Sequence, residues 1–302
     1  MSTTELLPGF VRTRISTTDG TQIAVAHAGT GPPLLLLHGY PQSGAMWHEL
    51  APVLAQTHHV VVSDLRGYGD SDRPTTVAGA NHVEHSFRAM ADDQVQVMAA
   101  LGHEHFAVVG HDRGARTAHR MALDHPGVVE RLAVLDIVPT RHVLATVDRT
   151  VAQAYYHWFF LTQPEPLPET LIGADPVGFL RLSLSGALAG SSSVFTAEAM
   201  EEYERCFDLP GAVHSVCEDY RAAGSIDQLH DDADAHRLLT QPLLALWGTQ
   251  GLVGRHYDVG AAWRQCAQDV RTASVHAGHF LVEQAPAETL AVLQDWLAPP
   301  GK

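Results

Sequence analysis

The chain has 302 residues, 45% of them hydrophobic, enough to bury a sizeable core in one large domain or in a domain carrying an insertion. Its 34 acidic residues outnumber 19 lysines and arginines, giving a formal charge of −15, so neither nucleic acid nor an anionic membrane is expected as its main partner. Cys206, Cys217 and Cys266 form no CxxC pair, the opening MSTTELLPGF has no leader pattern, and no apolar run approaches membrane-spanning length, so free thiols in a soluble, cytoplasmic protein are expected.

Short apolar or β-branched runs at 21–28, 33–37, 59–63, 106–110, 131–136, 243–248 and 270–275 predict strands, with helical stretches such as 86–101 and 114–125 between them. Continuously apolar strands alternating with helices imply an α/β fold with a mostly parallel sheet covered on both faces. Between about Pro139 and His236 the alternation breaks, and that segment predicts an inserted, mainly helical cap over the C-terminal edge of the sheet, where ligands bind in such folds.

In chain order, the first residue with chemical promise is Tyr40, in the turn after LLLLHGYPQ, whose backbone N–H is placed to face a developing negative charge. The next is the strand, turn and helix of FAVVGHDRGARTAHRMALDHP. Gly110 and Gly114 flank a sharp turn that thrusts Asp112 outward, and the N–H of Arg113 at the helix start would complete an oxyanion hole with Tyr40. The plainer reading of Asp112 is a helix N-cap. A reactive residue here needs a histidine and an orienting acid later in the chain. LAVLDIVPT offers Asp136, whereas ALWGTQGLVG has no carboxylate near its strand end. SVHAGHFLVEQAP places His279 after the last strand, with His276 as a competitor at the strand end. The expected triad is Asp112, Asp136 and His279. Twenty histidines invite a metal reading, but HEH at 103–105 and HDDADAH at 230–236 look like polar surface turns, and no metal or cofactor is expected.

An aspartate at the elbow carries information about the reaction. A carboxylate attacking an ester or amide would form an anhydride, which is uphill. Attack on an sp³ carbon with a good leaving group forms an ordinary ester, which histidine-activated water then hydrolyses. The substrate is therefore expected to present a carbon–halogen bond, an epoxide or a close relative.

HGYPQSGAMW, DLRGYGDSDRP, GHDRGARTAHRMALDHP, LDIVPT, YYHWFFLTQPEPLPE, CEDYRA and GHFLVEQAP together resemble the fluoroacetate dehalogenases of the α/β-hydrolase fold, over nearly the whole chain. The first two motifs and GHFLVEQAP are shared with haloalkane dehalogenases and epoxide hydrolases, so the discriminating features are the arginine pair and the cap motifs. The resemblance implies an α/β-hydrolase core of residues 1–138 and 237–302, a helical cap of residues 139–236, and a homodimer.

Where haloalkane dehalogenases and many epoxide hydrolases typically carry tryptophan after the nucleophile, this chain has Arg113, with Arg116 on the same helical face. A haloacetate brings its own carboxylate beside the carbon under attack. Two unit charges ~5 Å apart at an effective dielectric of ~20 repel by roughly 3 kcal/mol, which two guanidiniums would offset while orienting the substrate. As merely solvated arginines they would oppose the helix dipole without purpose.

The resemblance also implies that His157, Trp158 and Tyr220 hold the departing halide; read without it, such an aromatic run is more often core. Tyr40 departs from the phenylalanine common at its position, which bears on substrate size. The expected function is hydrolysis of a small anionic haloacid to the hydroxyacid and halide. The alternatives are an epoxide hydrolase using Tyr155, Tyr156 or Tyr220 as acids, and a non-catalytic binding protein of the same fold.

Overall fold

The structure is a computed structural model that describes residues 6–185 and 194–298. Its centre is built from the unbroken apolar runs. In β3 (Pro33–Leu37), β5 (Phe106–His111), β6 (Val129–Leu135) and β7 (Leu243–Gly248) side chains on both faces are buried, and Leu34 to Leu37 are wholly so. Removing one such leucine side chain from water stabilises the fold by roughly 1.5–3 kcal/mol, and the central strands supply many of them. With β4 (His59–Ser63) and β8 (Val270–Val275) these strands form a parallel set, and β1 (Val11–Ser16) and β2 (Gln22–Ala28) add antiparallel at one side. The order is β1-β2-β4-β3-β5-β6-β7-β8. The α/β-hydrolase fold expected from the motifs is thus observed.

β1 has no counterpart among the predicted strands. VRTRIS carries only two apolar side chains and lies mostly exposed at the sheet edge, so it lacks the burial pattern that marks a strand in sequence. β6 ends at Leu135, one residue earlier than predicted, which leaves Asp136 just beyond the strand. His230 lies in the helix Ile226–Ala233, not in a turn, because that stretch buries Asp227 on one face.

The helices Phe87–Ala100 and Arg113–Asp124 pack side by side, and the second also packs on β5 and β6, with Ala115, Ala118, Met121 and Ala122 among its buried residues. Between β6 and β7 the described residues form helices alone: Thr140–Thr146, Arg149–Ala154, Tyr156–Leu161, Leu167–Gly173, Pro176–Ser185, Ala197–Phe207, Ala212–Ala223 and Ile226–Ala233. Two buried side chains of the helix Ala212–Ala223 fasten it to the core loop 64–86. Asp219 accepts from the Tyr68 hydroxyl at 2.6 Å, and Glu218 accepts from Thr76 at 2.8 Å and lies 2.7 Å from His82 Nδ1.

The sheet order reverses around β3, which lies between β4 and β5 although the chain runs β3, β4, β5. The C-terminal ends of strands flanking such a switch open into a crevice. The turn after β3 and the turn after β5 meet there. All three cysteines are free. Among the described residues no helix is long and apolar enough to cross a membrane, and no group of three acidic, histidine or cysteine side chains is spaced to hold a metal.

Candidate active site

Asp112 occupies a backbone conformation that L-residues rarely adopt, with φ 46° and ψ −113°. Its flanking glycines make this possible by close approach. A Cβ on Gly110 would stand 2.4 Å from the Gly114 carbonyl oxygen, and one on Gly114 would stand 2.4 Å from that of His38. The carboxylate makes no capping bond to the helix it precedes, so the N-cap reading fails. Instead Oδ1 accepts the Tyr40 N–H at 3.0 Å, and Oδ2 faces His279 Nε2 at 3.9 Å.

Asp136 follows β6, also at positive φ, and its Oδ1 accepts the Gly248 N–H from the end of β7 at 3.0 Å. Its Oδ2 accepts from His279 Nδ1 at 2.8 Å. That bond fixes the proton on Nδ1 and turns the other ring nitrogen toward Asp112. The backbone oxygen of His279 accepts from His111 Nε2 at 2.8 Å, which ties the histidine loop to β5. The ends of five strands, β3, β5, β6, β7 and β8, therefore converge, and the three residues expected as a triad lie in contact, all buried. His276 is exposed and takes no part.

Burial pushes the Asp112 carboxyl up, but His279, His111, Arg116 and Arg113 outweigh it and hold it at about 2. His279 moves the other way. Burial lowers it, and the bond to Asp136, with the nearby Asp112 charge, raises it above its ordinary value overall. An ionised carboxylate with one oxygen fixed by an N–H and the other facing an imidazole is suited to attack carbon and then to be regenerated.

The two arginines differ. Arg113 is buried between the rings of Phe87 and Tyr220, its guanidinium carbon 4.5 and 4.3 Å from their centroids. Nε donates to Asp219 Oδ2 at 2.8 Å, and Nη2 donates to the Asp219 backbone oxygen at 3.0 Å and to Oδ1. Sequence reasoning missed Asp219, though it stands inside the CEDYRA motif beside Tyr220. Arg116 is equally buried, yet among the described residues no carboxylate pairs with it. Its Nη1 donates to the Val138 carbonyl at 3.2 Å and to Thr140 Oγ1 at 2.7 Å, its Nε has no partner, and its guanidinium lies 4.7 Å from the Trp158 centroid.

His157, Trp158 and Tyr220 come together over this floor. The His157 ring stacks on Tyr40 at 5.5 Å and meets Tyr220 edge-on at 5.7 Å, while Trp158 lies 6.5 Å from Tyr220. Burial drives His157 down to about 3, so its imidazole is neutral. The Tyr220 hydroxyl is buried without a hydrogen-bond partner. Of the other tyrosines weighed as acids, Tyr155 stacks on Trp158 at 5.3 Å, and Tyr156 is half exposed. A cavity of about 210 Å³ bordered by Arg113, Thr140, Leu144, Trp158 and Tyr220 adjoins the cluster.

Comparison with known proteins agrees with this architecture. The family model for the α/β hydrolase fold matches residues 32–286. A fluoroacetate dehalogenase from Burkholderia sp is 46% identical, over 97% of this chain and 95% of its own. A soluble epoxide hydrolase from Corynebacterium sp. (strain C12) is 34% identical, over 93% of this chain and 95% of its own. The crystal structure of ALR0039 from Nostoc sp PCC 7120, described as an α/β hydrolase, superposes with a TM-score of 0.94 at 52% identity, covering 97% of this chain and 99% of that one. The chain is a hydrolase of the α/β-hydrolase fold and belongs, within it, to the fluoroacetate dehalogenase family.

Proposed function

We propose that the protein hydrolyses haloacetates to glycolate and halide through an ester on Asp112. The observation that carries this reading is Arg116, a buried guanidinium with no carboxylate partner among the described residues, one helical turn from an ionised aspartate. A buried unpaired cation is costly unless a ligand supplies the counter-charge. A substrate carboxylate supplies it and so brings its own adjacent carbon to Asp112.

In this mechanism Asp112 Oδ2 displaces halide in line from the carbon beside the carboxylate. The halide takes hydrogen bonds from His157, Trp158 and Tyr220, each contributing roughly 1.5–3 kcal/mol when the acceptor is charged. Water then attacks the ester carbonyl. His279 Nε2 takes its proton, and Asp136 stabilises the imidazolium. The oxyanion forms on Oδ1, toward the N–H groups of Tyr40 and Arg113. Collapse releases glycolate and restores Asp112. Residues 139–236 act as a cap over the core of residues 1–138 and 237–302. The enzyme works in the cytoplasm as a homodimer.

A second reading has one observation in its favour. The unpartnered Tyr220 hydroxyl could protonate an epoxide oxygen, as befits a chain related to a soluble epoxide hydrolase. Halide release from fluoroacetate and chloroacetate, with styrene oxide alongside, separates the two. Release of halide supports the dehalogenase; a diol without halide overturns it.

A further inference from the structure

We propose that Asp219 is a positioning residue that divides the labour of the arginine pair, so that Arg116 alone supplies the net positive charge for the substrate carboxylate while Arg113 serves as a fixed, charge-compensated donor. This deepens the haloacetate reading and rests on it.

The warrant is the asymmetry of the two environments. Asp219 is fully buried on the helix Ala212–Ala223, and its two oxygens take the Nε and Nη2 edge of Arg113. Its backbone oxygen takes Nη2 as well, and the Tyr68 hydroxyl donates to Oδ2 at 2.6 Å. Three chain segments thereby lock one guanidinium: the elbow helix, the RGYG loop and the helix that also carries Tyr220. A bidentate pair of this kind is rigid and nearly neutral as a unit. Asp219 takes Nε and Nη2 but not Nη1, so a ligand meets Arg113 through that one remaining nitrogen. Arg116 has neutral partners only, Val138 and Thr140, and the face of Trp158. Among the described residues it makes no ion pair of its own and faces the Asp112 carboxylate, beyond ion-pair distance, until a substrate carboxylate arrives.

The division has a further consequence. A second uncompensated cation beside Asp112 would stabilise that carboxylate further and blunt its attack on carbon. Asp219 removes this charge and retains the hydrogen-bond donor.

The test is acetate binding followed by tryptophan fluorescence, since Trp158 lies over Arg116. Arg116→Met is expected to weaken acetate about thirtyfold or more, whereas the double variant Arg113→Met with Asp219→Asn, which removes the pair together, changes it by less than about fivefold. Asp219→Asn alone leaves the Arg113 charge uncompensated and its fork misaligned. Acetate is then expected to bind several-fold tighter, and KM for chloroacetate to fall while kcat falls about tenfold or more. A merely structural role would not tighten acetate.

Equal losses in Arg116→Met and the double variant overturn the proposal, as does weaker acetate binding in Asp219→Asn. If Asp219→Asn alone does not fold, the comparison of Arg116→Met with the double variant decides. The acetate titrations need no turnover. Wild-type protein that binds acetate but releases no halide would therefore sink the haloacetate reading, and equal arginine contributions in an active dehalogenase would sink only this one.

Discussion

Replacing His279 with asparagine separates the two chemical steps. His279 Nε2 lies 3.9 Å from Asp112 Oδ2, too far for a direct hydrogen bond but close enough for a shared water near the ester it would attack. Nδ1 is held at 2.8 Å by Asp136. Asparagine keeps an amide donor toward Asp136 and removes the base. General-base catalysis is worth about 10²–10⁴ in rate, or about 3–5 kcal/mol, and that loss falls on ester hydrolysis alone. Carbon–halogen cleavage needs no general base, only an ionised Asp112 and the halide donors, and Arg116 and Arg113 continue to favour that ionisation. Rapid mixing with chloroacetate should give a burst of one halide per protein, followed by turnover about 10²–10⁴ slower than wild type. Intact-mass analysis should find the chain heavier by one carboxymethyl group, mapped to Asp112. Slow turnover with neither burst nor adduct would refute the ester mechanism, and unimpaired turnover would refute the role of His279.

The same reasoning predicts the pH profile. His279 is the largest of the influences that hold Asp112 at about 2, so its loss raises the carboxyl, and the burst rate in the His279→Asn variant should fall away at a higher pH than single-turnover halide release in wild type. In wild type, hydrolysis needs neutral His279, so turnover should rise with pH through the histidine's titration, and Asp136→Asn should move that rise to lower pH; an unmoved profile would contradict the Asp136 bond. Gly39→Ala puts a Cβ 2.4 Å from Asp112 Cβ and 2.9 Å from its Oδ1, so the turn carrying the Tyr40 N–H must shift. It should cost about 1–3 kcal/mol of stability in urea and most of the activity, and unchanged kinetics would count against the oxyanion turn. Glu283 is buried, accepts from the Tyr203 hydroxyl at 2.9 Å and from Gln42, has no cation beside it among the described residues, and is pushed up to about 8 by burial. It stays protonated in the fold while the unfolded chain ionises, so its contribution declines as pH rises from about 4.5 to about 8. Glu283→Gln should unfold at the same urea concentration as wild type near pH 4 and at a higher one near pH 9; equal midpoints at both would refute this.

Local chemistry was legible in the sequence wherever a short stretch enforces it. Asp112 between two glycines, after an apolar strand and before a helix, defines an elbow because no other residue pattern turns so sharply there. Asp136 and His279 follow from strand ends, and strand ends lie at one edge of a parallel sheet. β1 was not legible, since an exposed edge strand needs no apolar alternation. Partners that meet across distant segments escaped in the same way. CEDYRA marks Tyr220, but only the packed helix Ala212–Ala223 brings Asp219 onto Arg113, 106 residues away, and leaves Arg116 without an ion pair among the described residues. Sequence determined which groups are present and at which sheet edge they stand. Tertiary structure decided which charges cancel, because burial and distance set the energy of an ion pair and neither is a property of neighbours along the chain.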